Sequence, residues 1–161
     1  DLESCCNDNN SDFADVNCAI LNIFNDTGIS EFSNPDSRAK SALLLSPWNA
    51  SVLNSGISNV SLPTLVLTGD LDDTTTIYEV NNTVLKLEDS LLNYAIFNNS
   101  GHYAFAPIGC LAYGCDGFLD INTSENLSKT IAIIYLAKQL NWPESYSYDF
   151  PDSEHITWKY D

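Results

Sequence analysis

Methionine is absent from the 161 residues, and lysine and arginine together number only six against 22 aspartates and glutamates. A formal net charge of −16 excludes the usual nucleic-acid binder, which needs cations to neutralise phosphates. The same shortage argues against docking on anionic lipid. No apolar run reaches the length of a membrane span, and none of the 161 residues reads as part of a signal peptide. There is no Cys-x-x-Cys, the two histidines (His102 and His155) lie far from any cysteine pair, and no Asp-x-Asp-x-Asp-Gly loop occurs. Neither a metal nor a cofactor is therefore predicted. A Gly-x-Ser-x-Gly turn is also missing, so the chain shows no recognisable serine nucleophile of the elbow type.

What is present points to an oxidising, glycosylating compartment. Asn-x-Ser/Thr occurs at Asn9, Asn25, Asn49, Asn59, Asn81, Asn98, Asn122 and Asn126. A chain this rich in Asn, Ser and Thr would hold roughly three such sequons by chance, so glycosylation is expected at some of them. The cysteines are Cys5, Cys6, Cys18, Cys110 and Cys115. Disulfides are the expected use of them. Cys110–Cys115 would close a local loop, whereas Cys5, Cys6 or Cys18 with Cys110 would clip the N-terminal segment across the fold. An odd count leaves one sulfur for a partner polypeptide or as a free thiol. Acidity fits a secreted, vacuolar or lysosomal protein, although solubility alone accounts for it equally well.

Two stretches organise the chain. Pro63–Asp72 reads PTLVLTGDLD, an apolar run bounded by Pro and Gly that ends in the acids Asp70, Asp72 and Asp73. Such a run suits a strand buried on both faces. Asn98–Phe105 reads NNSGHYAF and follows a second apolar run, Tyr94–Phe97. A helix-length segment separates them, with Val80, Val84, Leu87 and Leu91 on one stripe between Ile77 and Leu92. That spacing predicts a parallel β-α-β crossover. It leaves an acid and a histidine just beyond the carboxyl ends of adjacent strands, where parallel sheets form their sites.

The pairing resembles the C-terminal part of an α/β-hydrolase. Gly69-Asp70-Leu71-Asp72 is similar to the Gly-x-x-Asp acid turn of that superfamily, and Gly101-His102 to its base turn. Asp36-Ser37-Arg38-Ala39-Lys40 leading into Ser41–Pro47, then Leu62-Pro63 and His102-Tyr103-Ala104-Phe105, resemble the dienelactone-hydrolase-like group that includes platelet-activating-factor acetylhydrolase relatives. The resemblance spans about residues 35–140 and implies an α/β fold of late parallel strands with flanking helices. It also implies a carboxylic-ester hydrolase, with Asp72 as orienting acid and His102 as base. Because it begins in mid-fold and methionine is absent, the chain is expected to be a processed product. A companion N-terminal polypeptide of the same precursor would carry the earlier strands, the nucleophile and the oxyanion hole.

The flanks read less sharply. Asp12 can cap a helix to about Asn25, and residues 1–30 form a lid or an ordinary packing segment. Ala42–Leu45 is a further buried strand. Ser46-Pro47-Trp48 follows it, with Trp48 a core aromatic or a pocket wall. Residues 49–61 and 103–121 read as loops rich in Asn, Ser, Gly and Pro. Thr123 or Ser124 caps a last helix to about Leu140, with Ile131, Ile134, Tyr135, Leu136, Ala137 and Leu140 forming one apolar face. Residues 143–161 are an acidic, aromatic tail without a clear period. The expected substrate is a small or lipid-like ester. The rival expectation is a catalytically inactive α/β-hydrolase-fold glycoprotein that serves binding or assembly.

Overall fold

Thr64–Gly69 has the composition of a central strand, alternating β-branched residues with leucine up to its closing glycine, and all six residues are buried. It is β2 of a four-stranded sheet ordered β1-β2-β3-β4. The other strands are β1 (Ala42–Leu45), β3 (Leu92–Phe97) and β4 (Ile156–Tyr160). The computed structural model describes residues 38–47, 54–114, 118–143 and 149–160. Those from Ala39 onward belong to one unit. β1 and β3 both run parallel to β2, with Leu45 beside Leu67 and Gly69 beside Phe97. β4 closes the far edge antiparallel to β3, with an irregularity between Tyr94 and Ala95. The chain is thus of the α/β class, with a mostly parallel mixed sheet.

The alternation of side chains along the strands divides the core into two clusters. Val66, Tyr94 and Ile96 pack on one face with Ile57, Val80, Val84 and Leu87. Leu65, Leu67, Ala95 and Phe97 pack on the other with Ile131, Tyr135 and Ile156. Helix α1 (Ile77–Val84) covers the first face. Its start is fixed by a capping box: Thr76 Oγ1 accepts from the Glu79 N–H, and Glu79 Oε2 accepts from the Thr76 N–H at 2.8 Å. The crossover was expected to remain helical to Leu92, but α1 stops eight residues short. The Lys86 and Leu87 N–H groups bond the carbonyls of Thr83 and Val84, three residues back, which tightens the last turn and ends the helix. The apolar stripe survives the break because Leu87 is still buried, while Leu91 is half-buried.

The segment 103–121, expected to be a loop, holds a 3₁₀ turn at His102–Phe105 and helix α2 (Pro107–Tyr113). Proline is tolerated in the first turn of a helix because its missing N–H would have no partner there. Gly109 is required because a Cβ would overlap the Tyr103 ring. Helix α3 (Ile121–Gln139) lies on the second face. Its cap is Asp120, which accepts from the Thr123 N–H at 3.0 Å, rather than Thr123 or Ser124. It ends in a Schellman turn: Asn141 takes φ 52°, and the Trp142 N–H reaches the Ala137 carbonyl at 3.0 Å. Ile131, Tyr135 and Ala137 are buried as expected, whereas Leu136 and Leu140 face solvent with Ile133. The segment 54–59, expected as loop, is a 3₁₀ turn that buries Ile57. No helix among the described residues is long and apolar enough to cross a membrane. The predicted helix at 12–25, the candidate lid 1–30 and Trp48 lie outside the described residues.

Candidate active site

The site forms where the carboxyl ends of β2 and β3 meet. β2 stops at Gly69, whose lack of a side chain is essential: a Cβ there would overlap the Ser100 carbonyl oxygen. The two strand-end turns therefore touch backbone to backbone. The Asp70 N–H donates to the Phe97 carbonyl at 3.0 Å, and the Leu71 N–H to the Ser100 carbonyl at 3.0 Å. On the β3 side, Asn99 adopts φ 57°, a left-handed conformation that Asn tolerates better than most residues. Its carbonyl accepts from the Leu119 N–H at 2.6 Å.

These turns bring Asp72 and His102 together across 30 residues. His102 Nδ1 lies 2.9 Å from Asp72 Oδ2. The Asp72 side chain is fully buried, and that of His102 is 26% exposed. The second oxygen of Asp72 is also used: Oδ1 accepts from the Thr74 N–H at 3.0 Å and the Thr75 N–H at 2.7 Å. An ionised carboxylate can only accept, so Nδ1 carries the proton it donates to Asp72, and the lone pair is left on Nε2. The imidazole is flanked by the Tyr103 ring, edge to face at 5.2 Å between centroids. The Phe118 ring packs on Gly101, with no space for a Cβ at ordinary contact distance. The Ala104 carbonyl is held by Ser124 Oγ of α3 at 2.9 Å, and Phe105 meets Phe97 edge to face.

Asp72 and His102 are thus juxtaposed as the sequence predicts. Asp73 is exposed beside the start of α1. Asp70 reaches across the chain: its Oδ1 accepts from the Ser100 N–H at 3.0 Å. No sequence signal identified this contact, because it joins residues 30 apart. His155 lies on the far side of β3, 3.8 Å from Glu154, and its carbonyl accepts from the Asn98 N–H. Three buried hydroxyls at the carboxyl edge, those of Ser46, Thr68 and Thr75, have no partner among the described residues. Ser46 follows β1 with φ 39°. Its N–H bonds the Leu67 carbonyl at 2.8 Å, which closes the pairing of Leu45 with Leu67 at the end of β1. Among the described residues, no group of three His, Cys, Asp or Glu side chains could hold a metal ion.

The sequons differ in how accessible their amides are. Asn59, Asn122 and Asn126 are exposed. Asn81 is half-buried and accepts from the Tyr94 hydroxyl at 3.1 Å. Asn98 engages both ends of its amide with the segment around β4: Nδ2 donates to the Glu154 carbonyl at 2.8 Å, and Oδ1 accepts from the Thr157 hydroxyl at 3.0 Å. Asn9, Asn25 and Asn49 lie outside the described residues, as do Cys5, Cys6, Cys18 and Cys115. Cys110 is half-buried on α2.

The structure thus places a carboxylate and an imidazole in hydrogen-bond contact at the carboxyl edge of a mostly parallel sheet. Among known proteins, no family model and no curated protein matches the chain.

Proposed function

We propose that this chain supplies the acid and the base of a serine-hydrolase triad that cleaves carboxylic esters, with a small or lipid-like substrate. The observation that carries the reading is the Asp72–His102 hydrogen bond of 2.9 Å, made through Nδ1 so that Nε2 is left for a nucleophile. In this reading the nucleophilic serine and the oxyanion hole belong to an N-terminal part of the same precursor, held with this chain in a secretory, lysosomal or vacuolar lumen. Disulfides among the five cysteines and glycans at exposed sequons fit that setting.

In this reading the steps are those of acyl transfer through a serine. A serine hydroxyl attacks the ester carbonyl while Nε2 of His102 takes its proton. The imidazolium is stabilised by the buried carboxylate of Asp72. It then returns the proton to the departing alkoxide, and an acyl-enzyme remains. Water, deprotonated by the same Nε2, releases the acid and restores the serine. Asp72 need not be protonated at any step. Its two bonds from Thr74 and Thr75 hold it still, so little reorganisation accompanies charge formation.

The test is a fluorophosphonate probe on the native material, followed by peptide mapping with and without reduction. A labelled serine on a polypeptide that travels with this chain is the expected result. A rival reading, an inactive binding or assembly module, is favoured by the absence of Gly-x-Ser-x-Gly from these 161 residues. It prevails if no serine is labelled and no associated polypeptide carries such a turn.

A further inference from the structure

We propose that Asp70 is a positioning residue for the Asp72–His102 pair: its carboxylate holds the turn that carries His102 in register with the turn that carries Asp72. The inference rests on the triad reading for its catalytic consequence, but not for its geometry. Ser100 is fully buried, and its peptide is gripped on both sides by the acid turn. Its carbonyl accepts from the Leu71 N–H, and its N–H donates to Asp70 Oδ1, each at 3.0 Å. The first bond is backbone to backbone and would form with almost any residue at 71. The second exists only because residue 70 has a short side chain with an acceptor.

The arrangement is symmetric about the contact. Asp70 precedes Asp72 by two residues, and Ser100 precedes His102 by two. A slip of the 98–101 turn therefore passes directly into the Nδ1–Oδ2 separation. A turn former bonds its own neighbouring backbone, whereas this carboxylate bonds a peptide 30 residues away. Without Asp70, the Ser100 N–H would be a buried donor with no partner. The turn would relieve this by moving outward and taking His102 with it. The requirement is for an acceptor at the position of Oδ1, not for a negative charge.

The test compares Asp70→Ala, Asp70→Asn and Asp70→Glu in the full chain with its native accompaniment. The first readout is the tautomer of His102 at neutral pH, from its ring nitrogen shifts. This chain contributes only two histidines to the spectrum. In the wild type and Asp70→Asn the proton is expected on Nδ1. In Asp70→Ala and Asp70→Glu the population shifts toward Nε2–H, because the partner oxygen is no longer in place. The second readout is the rate of fluorophosphonate labelling, expected to fall roughly ten- to a hundredfold in Asp70→Ala and to stay within about twofold of wild type in Asp70→Asn. If Asp70→Ala does not fold, Asp70→Glu decides, since it keeps the charge and displaces the acceptor. A variant that melts lower but keeps the wild-type tautomer and labelling rate would show a merely structural role and overturn the proposal. An Nε2–H tautomer in the wild type would overturn it as well. A wild type with Nδ1–H but no labelled serine would instead defeat the hydrolase reading and leave the positioning role to be judged on the tautomer alone.

Discussion

The two oxygens of Asp72 carry separate duties, and one substitution can separate them. Oδ1 satisfies the Thr74 and Thr75 N–H groups, while Oδ2 faces His102. Asp72→Asn keeps an acceptor for the backbone pair but presents an N–H to the imidazole. His102 must then place its proton on Nε2 and loses the lone pair that would take the serine proton. Labelling by a fluorophosphonate is expected to fall by roughly three to four orders of magnitude, with a melting temperature close to wild type. Undiminished labelling would remove Asp72 from the triad. Asp72→Ala differs because it orphans two backbone donors, that of Thr75 buried, at about 1–3 kcal/mol each. At this scale the sequence was informative where the signal was local. Gly-x-x-Asp and Gly-His each announce a strand-end turn, and both residues lie where those turns imply. The link between Asp70 and Ser100 was illegible, because its partner is set by how two strands align and not by any neighbour in the chain.

At the scale of elements, the contact between the end of β2 and the turn after β3 governs the site, and Gly69 is its narrowest point. Gly69→Ala would drive a methyl into the Ser100 carbonyl, which is backbone and cannot rotate away. Destabilisation of about 3 kcal/mol is expected, at the upper end of what overpacking costs. A urea midpoint measured on wild type and variant reads it directly, and a loss under about 1 kcal/mol would mean that the turns can part freely. The strands were legible because β2 is an apolar run closed by Pro63 and Gly69, and β3 carries the apolar run Tyr94–Phe97 just ahead of Asn98-Asn99. The tail was less so, although Ile156, Trp158 and Tyr160 alternate with Thr157 and Lys159. Five residues at period two form a strand only because the β3 edge is there to pair with them. Helix α2 was hidden by Pro107 and Gly109, which usually break helices. Pro107 falls in the first turn, and Gly109 yields its side-chain space to Tyr103. In both cases tertiary contact, not local preference, decided the outcome.

For the whole molecule, the sheet carries a buried tyrosine in each of its two cores: Tyr94 packs with α1 and Tyr135 with the opposite face. Burial pushes both phenols up from 10 to about 12, because a phenolate on either face would have to leave water. The folded state therefore holds these two protons more tightly than the unfolded chain does. The stability that follows is fully present below about pH 10 and is lost as pH rises from about 10 toward about 12. A net charge of −16 adds to the effect, since two further negative charges enter a chain that already repels itself. The melting temperature is thus expected to change little with pH just below about 10 and to fall steeply above it. Tyr135→Phe removes one titration and is expected to flatten the fall. Tyr94→Phe does the same, but it also gives up the hydrogen bond to Asn81 and starts from a lower melting temperature at neutral pH. A double variant that declines as steeply as wild type between about pH 10 and pH 12 would place the alkaline sensitivity in some other group. It would also mean that neither phenol is as cut off from water as the packing on its face of the sheet requires.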